Sequence, residues 1–200
     1  NAAGDLELHS TIDSKTSLEN ALGADVIFEA TKLDVSRQVV DFALANSINL
    51  VVATSGWTKE QLASVDIDTS SVVVVPNFSV GSVLASRFSA EAAKYFSSVE
   101  IIETHHAGKL DSPSGTAIRT AEMIQASRGE GSEIQGIGQK ARGEIIAGVP
   151  IHSLRIDGVP ARQDVILAGN QESLLISHQA NSVQAYAAGI LASLRYAATA

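Results

Sequence analysis

ADVIFEAT (Ala24–Thr31), NLVVATS (Asn49–Ser55) and VVVVPN (Val72–Asn77) decide the fold. Each is a short, nearly unbroken apolar run closed by small or polar residues, the pattern of a strand buried on both faces of a parallel sheet. Between the first two, Leu33–Ser47 carries Val35, Val39, Phe42 and Leu44 at helical spacing, and Lys59–Val65 reads as a short helix before the third. Strand and helix in alternation imply right-handed crossovers and an open α/β sheet. Upstream, Leu6–Asp13 (LELHSTID) reads as a further strand.

Downstream, a helix is expected over Gly81–Phe96, with Leu84, Phe88, Ala92 and Tyr95 on one stripe. A strand over Val99–His106 and a helix over Ser114–Ser127 follow. Arg128–Gly148 carries six glycines and reads as a mobile loop. The period then changes. Val149–Ile156, Arg162–Gly169 and Glu172–His178 are three strands in succession, read as antiparallel, with Gly169-Asn170-Gln171 a tight connection between the last two. Ser182–Tyr196 closes the chain as a helix with Val183, Ala187, Ile190, Leu191 and Leu194 on one face. The expected fold class is α/β: a Rossmann-type parallel-sheet domain plus a mixed-sheet α+β domain.

The composition narrows the function classes. Of 200 residues, 14 are Lys or Arg and 22 are Asp or Glu, a formal charge of −8. Nucleic acid is therefore not the expected partner, because phosphate binding needs clustered positive charge. The absence of cysteine excludes disulfides, thiolate metal sites and a Cys nucleophile. No apolar run approaches the roughly 20 residues of a membrane span, and NAAGDLELHS lacks the flank and core of a secretory signal. A soluble, cytoplasmic globular protein is expected. The chain opens on Asn1 and its one methionine is Met123, so it reads as a fragment.

In open α/β sheets ligands bind beyond the carboxyl ends of the strands. Three such ends carry small or polar residues: Thr31, then Ala53-Thr54-Ser55-Gly56, then Pro76-Asn77-Phe78. Each alone is an ordinary turn; three at equivalent ends point to a cofactor crevice. The densest cluster of reactive side chains is ETHHAGKLDSPSGTA (Glu103–Ala117). Two adjacent histidines on a strand face opposite ways and cannot share one metal, so no metal is expected. Histidine is instead suited to proton transfer near neutral pH. Lys109 adds a second donor and a positive charge, and Ser114-Gly115-Thr116 opens a helix whose N-terminus suits a carboxylate or phosphate. Against a net charge of −8, His105, His106, Lys109 and that helix start together imply a small anionic substrate. His9, His152 and His178 read as packed or edge residues. Gly136–Ala141 matches a dinucleotide-loop pattern but follows no strand, and no phosphate loop of the GxxxxGK[ST] type exists.

At this point a resemblance enters. ETHHAGKLDSPSGTA resembles E-x-H-H-x-x-K-x-D-[AS]-P-S-G-T-A, the signature of the dihydrodipicolinate reductases of lysine and diaminopimelate synthesis. VIFEATKLD (26–34), VVATSGWT (51–58), VVPNFSVG (74–81) and VPIHSLRIDG (149–158) are similar to further segments of that family. The sequence departs from it in HHAGK, where HHxHK is common, and in ATSG in place of GTTG. The resemblance implies NADH- or NADPH-dependent reduction of 4-hydroxy-tetrahydrodipicolinate, a dicarboxylate, by a homotetramer. It implies His105 as acid/base, Lys109 as proton donor, and His106, Ser114, Gly115, Thr116 and Thr54 at the substrate. Ala53, Thr54, Ser55 and Val75, Pro76, Asn77, Phe78 would contact the nicotinamide, and Asp13, ending a second Rossmann strand, the adenine ribose. The implied cofactor domain is 1–78 with 184–200, and the substrate and tetramerisation domain 79–183. The family's first strand and GxxGxxG loop would precede Asn1, and its last short segment would follow Ala200.

On the residues alone two other readings stay open. One is a different two-domain dehydrogenase acting on a small amino or hydroxy acid. The other is an inactive module binding an anionic metabolite.

Overall fold

The computed structural model describes residues 3–65, 70–129 and 139–199. The first elements are β1 (Val26–Glu29), α1 (Leu33–Ala45), β2 (Asn49–Val52), α2 (Lys59–Ala63) and β3 (Val72–Val74). Then come α3 (Val80–Ala92), β4 (Ser98–His105), α4 (Gly115–Arg128), β5 (Glu144–Ile146), β6 (Val149–Arg155), β7 (Ala161–Gly169), β8 (Glu172–Ala180) and α5 (Ala187–Thr199). The chain divides into Asn1–Phe78 with Ala187–Ala200, and Ser79–Tyr186.

In the first unit β1, β2 and β3 form a parallel sheet in that order. Leu50 and Val52 of β2 join Val39, Val40 and Ala43 of α1 in one core. Val51 between them points the other way by strand alternation and is equally buried, and α5 packs against the same strand. Gly189 of α5 makes close approach possible: a Cβ there would lie 2.8 Å from the Phe78 carbonyl carbon and nearer still to its oxygen. Phe78 in turn meets Phe28 edge to face, ring centroids 5.6 Å apart.

Leu6–Asp13 is not a strand, contrary to its alternating pattern. It has no ladder partner among the described residues, since β1 pairs with β2 alone. Its ties run through side chains instead: His9 Nε2 donates to the Leu22 carbonyl (3.1 Å) and Ser10 Oγ to that of Asn20 (2.8 Å). Alternation creates a strand only where a neighbour takes up the backbone groups.

The second unit is a five-stranded sheet, β5-β6-β4-β7-β8. The expected antiparallel succession holds for β7 and β8, whose two-residue turn Asn170-Gln171 has positive φ at both positions (52° and 65°). It fails for β6 and β7. They are separated by β4, which runs parallel to β6 and antiparallel to β7. The expected loop also contains structure: Lys140–Arg142 is a 3-10 turn, and Glu144–Ile146 forms a hairpin with Val149 to Ile151. The turn Ala147-Gly148 has φ of 47° and 76°, the left-handed pair that matches strand twist. Residues 130–138 of that loop, with the first half of the Gly136–Ala141 match, lie outside the described residues.

Helices α3 and α4 pack against each other and share the core with Val99, Ile101, Ile151, Val165 and Leu167 of the sheet. The stripe expected to be buried on α3 faces outward: Leu84, Phe88 and Tyr95 are exposed. Its buried residues are Ser82, Ser86, Ser89 and Ala90. Small residues let two helices approach closely, and the hydroxyls are satisfied locally, Ser86 with Thr120 of α4 (2.8 Å) and Ser89 with the Ala85 carbonyl (2.7 Å). The closing helix starts as a 3-10 turn over Val183–Tyr186, and Val183 is exposed, so it is no part of a buried face.

Candidate active site

Strand alternation builds the site. Along β4, Val99, Ile101 and Glu103 are buried on the core side, and His105 follows in the same phase. On β6, Ile151, Ser153 and Arg155 share that phase and stand beside Ile101, Glu103 and His105. Apolar core thus gives way to charge over the last turn of each strand, where the N-terminus of α4 arrives.

Glu103 is completely buried and its carboxylate is fully engaged. His105 Nδ1 lies 2.6 Å from Oε2. Arg155 donates from Nη1 to Oε2 (3.0 Å) and from Nη2 to Oε1 (2.9 Å), and the Ser114 amide donates to Oε1 (3.2 Å). Burial pushes the carboxyl up, but hydrogen bonds from Arg155, Ser153 and His105 outweigh it and hold Glu103 below the ordinary glutamate range. Arg155 Nη2 also donates to the Asp111 carbonyl (2.6 Å). Asp111 Oδ1 receives Lys109 Nζ at 2.7 Å, and that ammonium holds the aspartate below its usual range. The Lys109 amide closes a turn on the His106 carbonyl (3.1 Å).

Helix α4 begins at Gly115 with Ser114 as its cap, the Ser114 hydroxyl accepting the Ala117 amide. The amides of Gly115 and Thr116 lie beyond reach of any helix carbonyl. They and the helix dipole form an anion seat beside His105. So His105, Lys109, Ser114, Gly115 and Thr116 meet at one corner, with exposed His106 at its edge.

The other expected residues belong to the first unit. Ala53, Thr54 and Ser55 end β2, and Val75, Pro76, Asn77 and Phe78 follow β3; Ser55 and Pro76 are exposed and the rest half-buried. Beneath them lies buried Glu29, at the end of β1. It accepts from the Thr31 amide (2.7 Å), the Thr31 hydroxyl (2.5 Å), the Thr54 hydroxyl (2.6 Å) and the Ser36 hydroxyl (2.7 Å). Burial raises this carboxyl, and those bonds more than offset it, leaving Glu29 below the ordinary range. The Thr54 proton is thereby committed to Glu29. What the strand ends offer a nucleotide is backbone and small side chains, which suits close approach of a flat ring. Asp13 does not end a strand: it sits in an exposed turn, its Oδ1 accepting the Lys15 amide and the Thr16 hydroxyl, both at 2.8 Å. Its carboxylate remains open to solvent.

Glu103, Arg155 and Glu29 are the residues that sequence reasoning missed. Their signal was phase: each is a charge at a position where strand alternation calls for burial.

His178 and His152 are structural, as read. His178 lies under Gly81 with Nε2 3.2 Å from Ser79 Oγ, and burial holds it below the usual histidine range. His152 Nε2 lies 2.8 Å from Glu100.

Comparison with known proteins identifies relatives of the chain. Residues 2–78 match the model for the N-terminus of dihydrodipicolinate reductase, and residues 81–200 that for its C-terminus. The chain is 46% identical over 206 residues to a 4-hydroxy-tetrahydrodipicolinate reductase of Clavibacter sepedonicus, covering 100% of this chain and 74% of the relative. It is 40% identical over 211 residues to one of Streptomyces griseus subsp. griseus, covering 99% and 84%. Among solved structures, a dipicolinate-bound dihydrodipicolinate reductase from Paenisporosarcina sp. TG-14 superposes with a TM-score of 0.73 at 33% identity, covering 90% of this chain and 72% of that one.

Proposed function

The chain belongs to the dihydrodipicolinate reductase family, and from that premise we propose how its residues divide the work. The reaction is the pyridine-nucleotide-dependent reduction of 4-hydroxy-tetrahydrodipicolinate in lysine biosynthesis. The observation that carries the assignment of roles is the corner at which His105, Lys109 and the start of α4 converge.

The substrate is a small dicarboxylate. One carboxylate sits on the amides of Gly115 and Thr116, beside the Ser114 cap, with His106 as a further contact. The 4-hydroxyl leaves as water to give a conjugated ring, and after hydride addition to that ring Lys109 donates the proton that balances its negative charge. His105 is the acid/base: its Nδ1 is engaged by Glu103, so Nε2 is the nitrogen that exchanges a proton with substrate or water. When bound, the reduced nucleotide supplies the hydride. Ala53, Thr54, Ser55 and Val75 to Phe78 would hold its nicotinamide end, and Asp13 the adenine ribose. The negative charge of Asp13 disfavours a 2′-phosphate and Lys15 favours one, so the chain accepts NADH or NADPH, with the balance set by these two side chains.

Further copies of the chain are the proposed partners. The sheet of the second unit carries α3 and α4 on one side; on the other, Ile145, Leu154, Ile166 and Leu175 are exposed in one phase. Glu100, His152, Arg162 and Asp164 interleave with them on that face, and a homotetramer would bury this mixed apolar and charged surface. Among the described residues no helix is long and apolar enough to cross a membrane, and a cytoplasmic location accompanies this reading.

The test is turnover of the full encoded protein, with substrate generated from aspartate semialdehyde and pyruvate by the preceding synthase. NADH and NADPH oxidation are followed separately, and the mass is taken by light scattering. Oxidation that depends on the synthase product and a fourfold mass are expected. No oxidation of either nucleotide by a folded, nucleotide-binding sample would overturn the reaction, and a monomer the assembly.

A further inference from the structure

We propose that Glu103 and Arg155 act as the positioning pair of this site: Glu103 fixes the tautomer and ring orientation of His105, and Arg155 ties Glu103 to the turn that carries Lys109. The proposal rests on the role of His105 given above, and it adds two residues that touch neither substrate nor nucleotide.

The case begins with burial. A carboxylate with no exposed surface is costly unless every lone pair is answered, and Glu103 has four donors around its two oxygens besides the Ser153 hydroxyl. Arg155 supplies two of them as a fork, a geometry a lysine ammonium cannot reproduce. The Ser114 amide supplies the third, which fastens the carboxylate to the cap of α4. His105 Nδ1 is the fourth, at 2.6 Å. An ionised carboxylate only accepts, so the ring must carry its hydrogen on Nδ1. Neutral His105 then presents a bare Nε2, able to take a proton. Free histidine prefers the opposite tautomer, so the site imposes this one.

Arg155 does more than neutralise. Its Nη2 is shared between Glu103 Oε1 and the Asp111 carbonyl (2.9 and 2.6 Å), and Asp111 pairs with Lys109 at 2.7 Å. A single guanidinium therefore spans the support of both proton-handling side chains. Moving it disturbs the direction of His105 and the placement of the Lys109 turn together.

Glu103→Gln tests this with almost no change of shape. The Oε1 position faces two fixed donors, the Ser114 amide and Arg155 Nη2, against one at Oε2, Arg155 Nη1, so the amide oxygen of Gln takes the Oε1 side and Nη1 loses its acceptor. Its NH₂ then faces His105, whose Nδ1 must accept, and the ring switches to the Nε2–H tautomer. Nitrogen-15 spectra of histidine-labelled protein read this directly, without substrate. In wild type, neutral His105 should show the Nδ1–H pattern; in Glu103→Gln it should show Nε2–H. Turnover should fall on the order of 10²-fold or more, the scale of a lost proton-transfer group, with KM changed only a few-fold. Arg155→Lys should lose turnover less severely while keeping the wild-type tautomer.

An Nε2–H pattern in wild-type His105 would overturn the proposal even if Glu103→Gln fails to fold. So would a folded Glu103→Gln enzyme with wild-type kcat. Failure of wild type to turn over at all would count against the reductase roles and leave the tautomer result to be judged separately.

Discussion

Glu29 lies beneath the strand ends assigned to the nucleotide, and replacing it by Gln tests whether its carboxylate organises them. Oε1 receives the Thr31 amide, the Thr31 hydroxyl and the Thr54 hydroxyl, and Oε2 the Ser36 hydroxyl. A hydrogen bond to an ionised acceptor contributes about 1.5–3 kcal/mol and a neutral one about 0.5–1.5. In Gln the carbonyl keeps the first three donors, each weaker by about 1 kcal/mol on that scale. The NH₂ meets Ser36 Oγ, which already accepts Trp57 Nε1–H at 3.0 Å, so the Ser36 proton loses its acceptor. Relief of the buried charge returns part of the loss. The expected net cost is about 2–3 kcal/mol, a substantial share of an ordinary stability of about 5–15 kcal/mol. Urea unfolding at pH 7 measures it, with an unchanged slope m showing that the native state stays compact. The dissociation constant for reduced nucleotide should rise alongside, because the weaker bond holds Thr54 less firmly in its orientation. A loss below about 0.5 kcal/mol, within the range of an inert surface change, would refute the reasoning.

Three further outcomes are expected. Ser114→Ala removes the α4 cap and should cost about 1 kcal/mol of stability while raising the KM for the dicarboxylate, read from unfolding and steady-state curves; unchanged KM would remove Ser114 from the anion seat. Gly189→Ala gains helix propensity of about 1 kcal/mol but drives a Cβ into the Phe78 backbone, an overpacking cost of about 1–3 kcal/mol or more, so thermal unfolding should show a net loss, and a rise in Tm would contradict the close approach. Glu29 and Glu103 both titrate below the ordinary glutamate range. The stability each contributes is therefore present above the unfolded pKa of about 4.3 and lost as pH falls through the folded value. The urea midpoint should drop steeply below that pH, and less steeply in Glu29→Gln; identical acid limbs would refute the assignment.

Much of this was legible in the residues. Continuous Val and Ile runs gave β1, β2 and β3 because a parallel strand buries both faces. The ETHH…SGT segment stood out because His105, Lys109 and a helix start rarely crowd into one anionic chain by accident. What stayed hidden depended on partners. Leu6–Asp13 has the period of a strand but no described neighbour to pair with. Leu84 and Phe88 have the spacing of a core stripe, yet serines face α4 because close approach mattered more than hydropathy. The short β5 was hidden in a glycine-rich stretch, and its turn takes positive φ at Ala147 as well as Gly148. The burial of Glu103 and Arg155 follows from the register of β4 and β6, which puts them on the core side.

The account rests most on Lys109, and Lys109→Ala in the full encoded protein is the measurement to make. Turnover should fall by about 10²- to 10⁴-fold, the range for a positioned proton donor, while the Kd for reduced nucleotide stays at its wild-type value. Wild-type turnover, or a loss explained by weakened nucleotide binding, would contradict the account.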